Sequence, residues 1–205
     1  MSKKAFFVTG TDTDVGKTIA SSWLMLHMNG VYWKPVQSGI AEDVGDTQTI
    51  KSITGFKNDR FIKPIYELQE PLSPHEAAKR ENVNIDMNNF SLPNTSNALI
   101  VEGAGGLMVP LNKDYLMVDL MKQLDIPIVL TCRSGLGTIN HTLLSIELIK
   151  NRGLELVGII INGKKSPHNR EALEEYGKVP VIAEIDYLDN VSKEKLLAIK
   201  AEIEL

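Results

Sequence analysis

The stretch that decides the fold is AFFVTGTDTDVGKTIASSWLML, residues 5–26. An apolar strand (5–9) runs into a loop with two glycines, and a helix predicted over 17–28 begins inside that loop. A loop between a buried strand and a helix N-terminus directs several backbone N–H groups at one point, where the helix dipole adds positive potential. Lys17 can then reach the β and γ phosphates of a nucleotide, and the Thr18 hydroxyl can ligate Mg²⁺. The stretch therefore predicts a phosphate-binding loop.

The register of this loop narrows the class of protein. The standard loop has four residues between its first glycine and the Gly-Lys pair, whereas five residues separate Gly10 from Gly16 here. Thr11 therefore occupies the usual glycine position. Partitioning and Min-type ATPases carry a second lysine where this chain has Asp12, which argues against a dimerisation-switched ATPase. The alternative of a tight turn that carries Gly-Lys-Thr by chance is disfavoured by the strand before the loop and the helix after it.

Composition excludes several kinds of protein. The 205 residues suit one α/β domain with a sizeable core, and the net charge of −4 shows no basic face for nucleic acid. The one cysteine, Cys132, excludes an intramolecular disulfide and any site built from several cysteines. No signal peptide is recognised, and no apolar run approaches the roughly 20 residues that span a bilayer. We therefore expect a cytoplasmic protein without a nucleic acid or membrane partner.

Short apolar runs predict the strands, and most of them are apolar on both faces. Such strands are buried on both sides, which favours a parallel sheet covered by helices. The predicted strands are 5–9, 31–36, 98–102, 126–131, 156–162 and 179–185. The predicted helices are 17–28, 46–53, 117–124, 138–151, 168–177 and 192–203. This alternation predicts a single doubly wound α/β domain over 1–205, with right-handed crossovers and helices on both faces of a mainly parallel sheet. Residues 55–97 are expected to form a loop-rich excursion with one or two short helices.

Three charged residues are candidates for chemistry beside the loop. Lys34 is either a solvated lysine at a strand end or a second cation next to Lys17. Glu102 ends a predicted strand and precedes Gly103-Ala104-Gly105-Gly106. It is either an exposed turn residue or the acid that a Mg²⁺-bound ATPase needs at this edge of the sheet. Asp46 is either the N-cap of a short helix or a Mg²⁺ ligand.

The second half of the chain offers weaker signals. LTCRSGLGTINHTLL, residues 130–144, is another strand, glycine loop and helix, whose N-terminus could hold a second anion. Asn162 could read the edge of adenine, or it could form an ordinary Asn-Gly turn. His141 and Cys132 are expected to be packed or solvated residues without a catalytic role.

Taken together, the motifs resemble those of the dethiobiotin synthetase family. GTDTDVGKT, KPVQSG, SPHEAA, VEGAGGLMVPL, GLGTINHTLLS and GIIIN match that family in this order, and they cover nearly the whole chain. The resemblance implies a P-loop NTPase-like fold and a ligase of biotin biosynthesis. Such an enzyme joins 7,8-diaminopelargonate and CO₂ to dethiobiotin, consuming ATP with Mg²⁺ as cofactor, through a carbamate and a carbamic-phosphoric mixed anhydride.

The resemblance also implies roles for residues at the matching positions. Thr18, Asp46 and Glu102 would hold Mg²⁺, while Lys17, Lys34 and Thr13 would be catalytic. The substrate would contact Ser38, Gly137, Thr138 and Asn140. ATP would contact Thr13, Asp14, Val15, Gly16, Lys17, Thr18, Asp46, Glu102, Gly103, Ala104, Gly105, Asn162, Gly163, Asp186, Tyr187 and Leu188, with Asn162 and 186–188 at the adenine.

The family is a homodimer with the substrate near its interface, so the resemblance implies the same here, with the 138–151 helix as an interface element. Two other kinds of protein fit the sequence less well. A cobyrinate amidase-like enzyme would need a glutamine-hydrolysing domain for which 205 residues leave no room. A partitioning or regulatory ATPase would need the early lysine that Asp12 replaces.

Overall fold

The structure is a computed structural model that describes residues 4–42 and 44–204. Within those residues, nine strands and seven α-helices alternate along the chain. The strands are β1 (Ala5–Gly10), β2 (Val31–Trp33), β3 (Val36–Gln37), β4 (Phe61–Ile62), β5 (Tyr66–Glu67), β6 (Leu99–Gly106), β7 (Ile128–Arg133), β8 (Leu156–Asn162) and β9 (Val181–Ile185). The helices are α1 (Lys17–Met28), α2 (Gly45–Thr54), α3 (Pro74–Arg80), α4 (Met117–Leu124), α5 (Thr138–Asn151), α6 (Pro167–Gly177) and α7 (Lys193–Ala198). Two 3₁₀ turns cover Asn58–Arg60 and Met87–Asn89.

Seven of these strands form one parallel sheet in the order β4-β2-β6-β1-β7-β8-β9, and β3 pairs with β5 in a separate two-stranded ladder. The β1 strand lies at the centre, between β6 and β7. The carboxyl ends of parallel strands meet at one edge of a sheet, so the loops after β1, β2, β6, β7 and β8 converge there. The α/β, mainly parallel architecture that the sequence predicts is confirmed.

Side chains alternate across the sheet and create a core on each face. Phe7 packs with residues of α4, α5 and α6, whereas its neighbours Phe6 and Val8 pack with residues of α1, α2 and α7. Successive strand residues point to opposite faces, so a strand that is apolar throughout is buried against helices on both sides. The doubly covered sheet holds β1 rigidly, and β1 in turn positions the phosphate loop.

Several predicted boundaries are confirmed, since the helices 17–28, 117–124 and 138–151 have those bounds in the structure. The predicted strand 31–36 is wrong as one element. It breaks after Trp33, where Lys34 and Pro35 leave the main sheet. Proline has no backbone N–H to donate to a neighbouring strand, so it disfavours a position inside a sheet. The predicted helix 192–203 is too long, since α7 ends at Ala198 and the Glu202 N–H then donates to the Ile182 carbonyl.

The 55–97 region contains α3, as expected, but it also contains the short strands β4 and β5, which the sequence does not predict. Strands of two residues carry too little periodicity to be recognised. None of the helices in residues 4–42 and 44–204 combines the length and apolarity needed to cross a bilayer.

Candidate active site

The phosphate loop connects β1 to α1 and is held from both sides. The Thr11 N–H donates to the Thr131 carbonyl at 3.0 Å, which ties the loop to β7. Gly16 precedes α1 with φ of 90° and gives the helix no side-chain cap. The first N–H groups of α1 therefore have no side-chain acceptor and are available to an anion. Lys17 is buried, and its ammonium donates to the Asp12 carbonyl at 2.9 Å across the mouth of the loop.

The two loop aspartates are arranged differently. The Asp12 carboxylate accepts from its neighbour's N–H, that of Thr13, at 2.7 Å and forms an exposed ion pair with Arg133 at 2.9 Å. Asp14 lies in the left-handed region with φ of 56° and lines the cavity described below. Aspartate adopts this conformation more readily than longer side chains, since its short polar group can bond locally. The Asp12 carboxylate is thus paired on the side of β7.

A buried cluster of charges lies next to the loop. The Lys34 ammonium forms ion pairs with Asp46 and, at 3.2 Å, with Glu102. The Glu102 carboxylate also accepts from the Ser21 hydroxyl at 2.6 Å, and the Thr18 hydroxyl donates to Asp46 at 2.5 Å. Glu102 is completely buried and Lys34 is 5% exposed. The alternatives of a solvated Lys34 and an exposed Glu102 are therefore wrong.

Two further expectations about this cluster need correction. Glu102 was expected at the end of its strand, but β6 continues to Gly106 and Glu102 lies inside it, opposite Val8 of β1. The flexible glycines after Glu102 extend the strand instead of ending it. Asp46 is not the N-cap of α2, because Val44 holds that position and the Asp46 side chain faces Thr18 and Lys34.

Burial and pairing shift the acidity of these groups in different directions. Burial acts to lower the pKa of Lys34, but the negative charges of Glu102 and Asp46 outweigh it and raise that pKa above its usual value. Burial lowers the pKa of Lys17, with Glu102 opposing the shift. The pKa of Asp46 is lowered, because Lys34 outweighs the effect of burial, whereas burial raises the pKa of Glu102. A second cation near Glu102 would favour its ionised form.

The donor set suits a hard cation that arrives with a nucleotide. No group of three or more His, Cys, Asp or Glu side chains in the described part of the chain could hold a metal. The cluster instead offers the Thr18 hydroxyl and two carboxylates, Asp46 and Glu102, around the ammonium of Lys34. Mg²⁺ typically takes one or two protein carboxylates and completes its shell with phosphates and water. The residues present therefore fit Mg²⁺ bound together with ATP phosphates.

These groups line a cavity of about 920 Å³. Its walls come from the phosphate loop, the segment after β3, the start of α2, the end of β6 and the loop before α3. Ser38 lies in this wall, and its hydroxyl is buried without a partner among the described residues. The cavity thus joins the two buried lysines to a free hydroxyl donor, in a space large enough for a small substrate and part of a nucleotide.

Comparison with known proteins gives the family. An AAA domain family model matches residues 4–195. The ATP-dependent dethiobiotin synthetase BioD of Paramagnetospirillum magneticum is 48% identical over 92% of this chain and 91% of that protein. The chain belongs to the dethiobiotin synthetase family. The family member of Lawsonia intracellularis is 46% identical over 98% of this chain and 96% of its own length. In the biotin biosynthesis bifunctional protein BioCD of Bordetella avium, the matching region is 48% identical and forms 40% of that protein.

Solved structures of more distant proteins share the fold. The cell division ATPase MinD of Pyrococcus furiosus has a TM-score of 0.54 at 15% identity, covering 97% of this chain and 88% of that one. A ParA family ATPase of Chlorobium tepidum has a TM-score of 0.52 at 15% identity, covering 95% and 88%. At this identity the likeness shows the fold alone, so the P-loop NTPase-like fold expected for the synthetase family is confirmed.

The residues that the synthetase resemblance implies for ATP and substrate divide into two groups by position. The cavity wall contains Thr13, Asp14, Gly16, Lys17, Thr18, Lys34, Ser38, Asp46, Glu102, Ala104 and Gly105. Away from that wall lie Val15, Gly103, Gly137, Thr138, Asn140, Asn162, Gly163, Asp186, Tyr187 and Leu188. Within the second group, Asn162 still touches the phosphate loop, since its amide donates to the Val15 carbonyl at 3.2 Å.

The residues that the resemblance implies for adenine lie at the ends of two neighbouring strands. Asn162 ends β8 opposite Ile185 of β9, and the Gly163 N–H donates to the Ile185 carbonyl at 2.9 Å. Tyr187 follows β9 and is exposed. At the start of α5, where the resemblance implies substrate contacts, Gly137 has φ of 90° and Thr138 is buried.

Sequence reasoning missed two contributors to this site. Ser21 lies one turn into α1 and bonds to Glu102, but a serine in a helix carries no distinguishing pattern. Gln37 lines the cavity and contacts the start of α2. Its position within KPVQSG was the only available signal, and the residue type alone suggests no role.

Proposed function

We propose that this chain is a dethiobiotin synthetase that uses ATP to close the ureido ring of dethiobiotin from 7,8-diaminopelargonate and CO₂. The observation that supports it best is the pair of buried lysines, Lys17 and Lys34, facing one cavity that also contains the free hydroxyl of Ser38. The 48% identity to a named dethiobiotin synthetase across nearly the full length of both chains supplies the substrate class.

The lysines answer the main electrostatic difficulty of this reaction. An amine of the substrate first adds to the carbon of CO₂ and loses a proton, which gives a carbamate anion. A carbamate oxygen then attacks the γ-phosphorus of ATP, the bond to the bridging oxygen breaks, and ADP leaves. Two anions must approach each other in this step, so Lys17 and Lys34 stabilise the charge on the transferring phosphoryl group and the carbamate.

The second amine completes the ring. It attacks the carbonyl carbon of the mixed anhydride, phosphate departs with the carbon–oxygen bond electrons, and the attacking nitrogen loses a proton. Thr13 and Ser38 hold the carbamate end of the substrate in this proposal, which is consistent with their common place in the cavity wall. No histidine is assigned as a base.

Thr18, Asp46 and Glu102 are the proposed Mg²⁺ ligands. When bound, Mg²⁺ would supply positive charge that offsets the negative charge of the phosphates during phosphoryl transfer. Lys34 now pairs with both carboxylates, so ATP binding would exchange part of this pairing for contact with phosphate. Ser21 keeps one Glu102 oxygen fixed through this exchange.

We further propose that Asn162 with 186–188 binds adenine and that the chain acts as a homodimer. Gly137 and Asn140, two of the implied substrate contacts, do not line the cavity of their own chain. A second copy would explain their role if it brought the start of its α5 to that cavity. Met108, Leu136 and Leu144 are exposed large apolar residues on this side of the molecule, and such surfaces commonly mark protein contacts.

One experiment tests the activity directly. Purified protein is incubated with Mg²⁺, ATP, bicarbonate and 7,8-diaminopelargonate, and the mixture is analysed by mass spectrometry. Dethiobiotin should appear together with ADP, and it should be absent when bicarbonate or the diamine is left out. ADP released at the same rate with and without the diamine, and no dethiobiotin, would refute the proposal.

The oligomeric state has its own test. Light scattering after size-exclusion chromatography should give twice the monomer mass of 22.7 kDa. Leu144→Glu should reduce the mass to that of the monomer, because a charge would be buried at the interface. Leu197→Glu, at an exposed leucine of α7 on the opposite face, is the matched control and should remain dimeric. A monomeric wild-type protein would contradict the dimer without affecting the proposed chemistry.

A further inference from the structure

Gln37 lies at the point where the metal side and the substrate side of the cavity meet. Its backbone belongs to β3, and its carbonyl accepts from the Leu68 N–H at 2.8 Å, which anchors the residue to the β5 segment. Its side chain lines the cavity and is half-buried. From this fixed base the side-chain amide reaches in two directions.

The first direction is the start of α2. A helix leaves its first N–H groups without partners, and a side chain at the N-cap usually satisfies one of them. Val44 occupies the N-cap here and offers no such acceptor. The Gln37 Oε1 instead accepts from the Asp46 N–H at 3.2 Å. Because Gln37 satisfies the backbone, the Asp46 carboxylate remains directed at Thr18 and Lys34.

The second direction is the neighbouring Ser38. The Gln37 Nε2 donates to the Ser38 carbonyl at 2.7 Å. The two contacts define the amide orientation. A flipped side chain would place its NH₂ group against the Asp46 N–H and its oxygen against the Ser38 carbonyl, and neither pair can form a hydrogen bond. One side chain therefore bonds to both Ser38 and Asp46.

We propose that Gln37 is a positioning residue that holds Asp46 and Ser38 at a fixed separation, and so couples the Mg²⁺ ligand to the substrate contact. The inference rests on the proposed function for the roles of these two residues. Gln37 itself touches neither phosphate nor the reacting atoms in this proposal. Its loss should weaken metal binding and substrate binding together while the fold remains intact.

The test compares Gln37→Met with Gln48→Met. Methionine has nearly the same length but can make neither hydrogen bond. Gln48 is an exposed glutamine of α2, the helix that carries Asp46, and it does not line the cavity. Mn²⁺ is titrated into protein containing ADP, and the free ion is followed by electron paramagnetic resonance. Gln37→Met should bind Mn²⁺ about 3- to 10-fold more weakly, which corresponds to one hydrogen bond. The KM for the diamine should rise by a similar factor, and Gln48→Met should match wild type in both.

Gln37→Glu separates the two contacts, because its carboxylate can accept from the Asp46 N–H but cannot donate to the Ser38 carbonyl. This variant should bind Mn²⁺ at least as tightly as the wild type, since it keeps the contact to the Asp46 N–H and adds a negative charge near the cation, and it should raise the KM for the diamine. Wild-type Mn²⁺ affinity and wild-type KM in Gln37→Met would overturn the inference, as would equal losses of Mn²⁺ affinity in the Met and Glu variants. The Mn²⁺ titration needs no turnover, so an inactive wild-type protein would refute the proposed function while the positioning role was still measured.

Discussion

Gly16→Ala should be unusually damaging, because two independent features of the structure oppose a side chain there. Gly16 has φ of 90°, and an added Cβ would lie 1.7 Å from the Asn162 Nδ2. The left-handed backbone costs a non-glycine residue about 1–2 kcal/mol. Moving Asn162 aside breaks its hydrogen bond to Val15, which is worth about 0.5–1.5 kcal/mol, and overpacking adds about 1–3 kcal/mol. The expected loss in the free energy of unfolding is about 3–6 kcal/mol.

Gly137→Ala is the matched control for this loss. Gly137 also has φ of 90° and also precedes a helix, but its added Cβ would meet no heavy atom of the described residues within 4 Å. Its free energy of unfolding should therefore fall only by the cost of the left-handed backbone, about 1–2 kcal/mol. Urea unfolding followed by the fluorescence of the buried Trp23 and Trp33 measures both variants.

The double variant Gly16→Ala/Asn162→Ala isolates the clash. Removing the Asn162 amide makes room for the new methyl group. The loss in the free energy of unfolding of the double variant should therefore fall close to that of Gly137→Ala. ATP binding, measured by calorimetry, should remain weak in it, because the strained backbone still distorts the anion site and the proposed adenine contact of Asn162 is lost. Equal losses for Gly16→Ala and Gly137→Ala would refute the reasoning, since only the strained φ would then matter.

Three further outcomes follow from the same structure. Lys17→Met should lower the turnover of dethiobiotin by about 100-fold or more, measured by product formation, because it removes one buried cation from the phosphoryl-transfer site. Burial raises the pKa of Cys132 from 9.0 to about 11, so at pH 8.5 its alkylation by iodoacetamide should be at least about 100-fold slower in native protein than in urea. Arg170→Met should cost about 1–3 kcal/mol in urea unfolding, because its guanidinium joins glutamates of α6, β9 and the C-terminal segment. The exposed Arg80→Met should cost less than about 1 kcal/mol in the same assay.

The fold was predictable where a single periodicity ran long enough. The helix at 138–151 and the buried strands beside β1 carry strong apolar patterns, and the structure confirms them. The break after Trp33 was not predicted, because VYWKPV reads as one apolar run with a lysine inside it. A strand can continue through Pro35 only where no neighbouring strand needs a backbone N–H at that position. The tertiary fold decides this, and the local sequence does not.

The site was predictable in its residue types more than in its geometry. Lysines, acids and glycines near a phosphate loop indicate phosphate chemistry, so Lys34 and Glu102 could be selected from the sequence. Their burial and mutual pairing could not, since they are 68 residues apart in the sequence and meet only through the sheet. Ser21 and Gln37 were missed for the same reason: their significance depends wholly on the partner that the fold supplies.

The register of β2 explains how a buried ion pair arises at this place. Trp33 pairs with Val101 of the parallel strand β6. The residues that follow them in sequence, Lys34 and Glu102, therefore lie side by side. A shift of one residue would turn the Lys34 side chain to the opposite face of the sheet. The short connection from α1 helps prevent this shift, because Asn29 ends the helix with φ of 48° and the Val31 N–H already donates to the Ala98 carbonyl. The short turn before β2 is therefore part of the active-site architecture, since it sets the register that places Lys34 beside the buried Glu102 carboxylate.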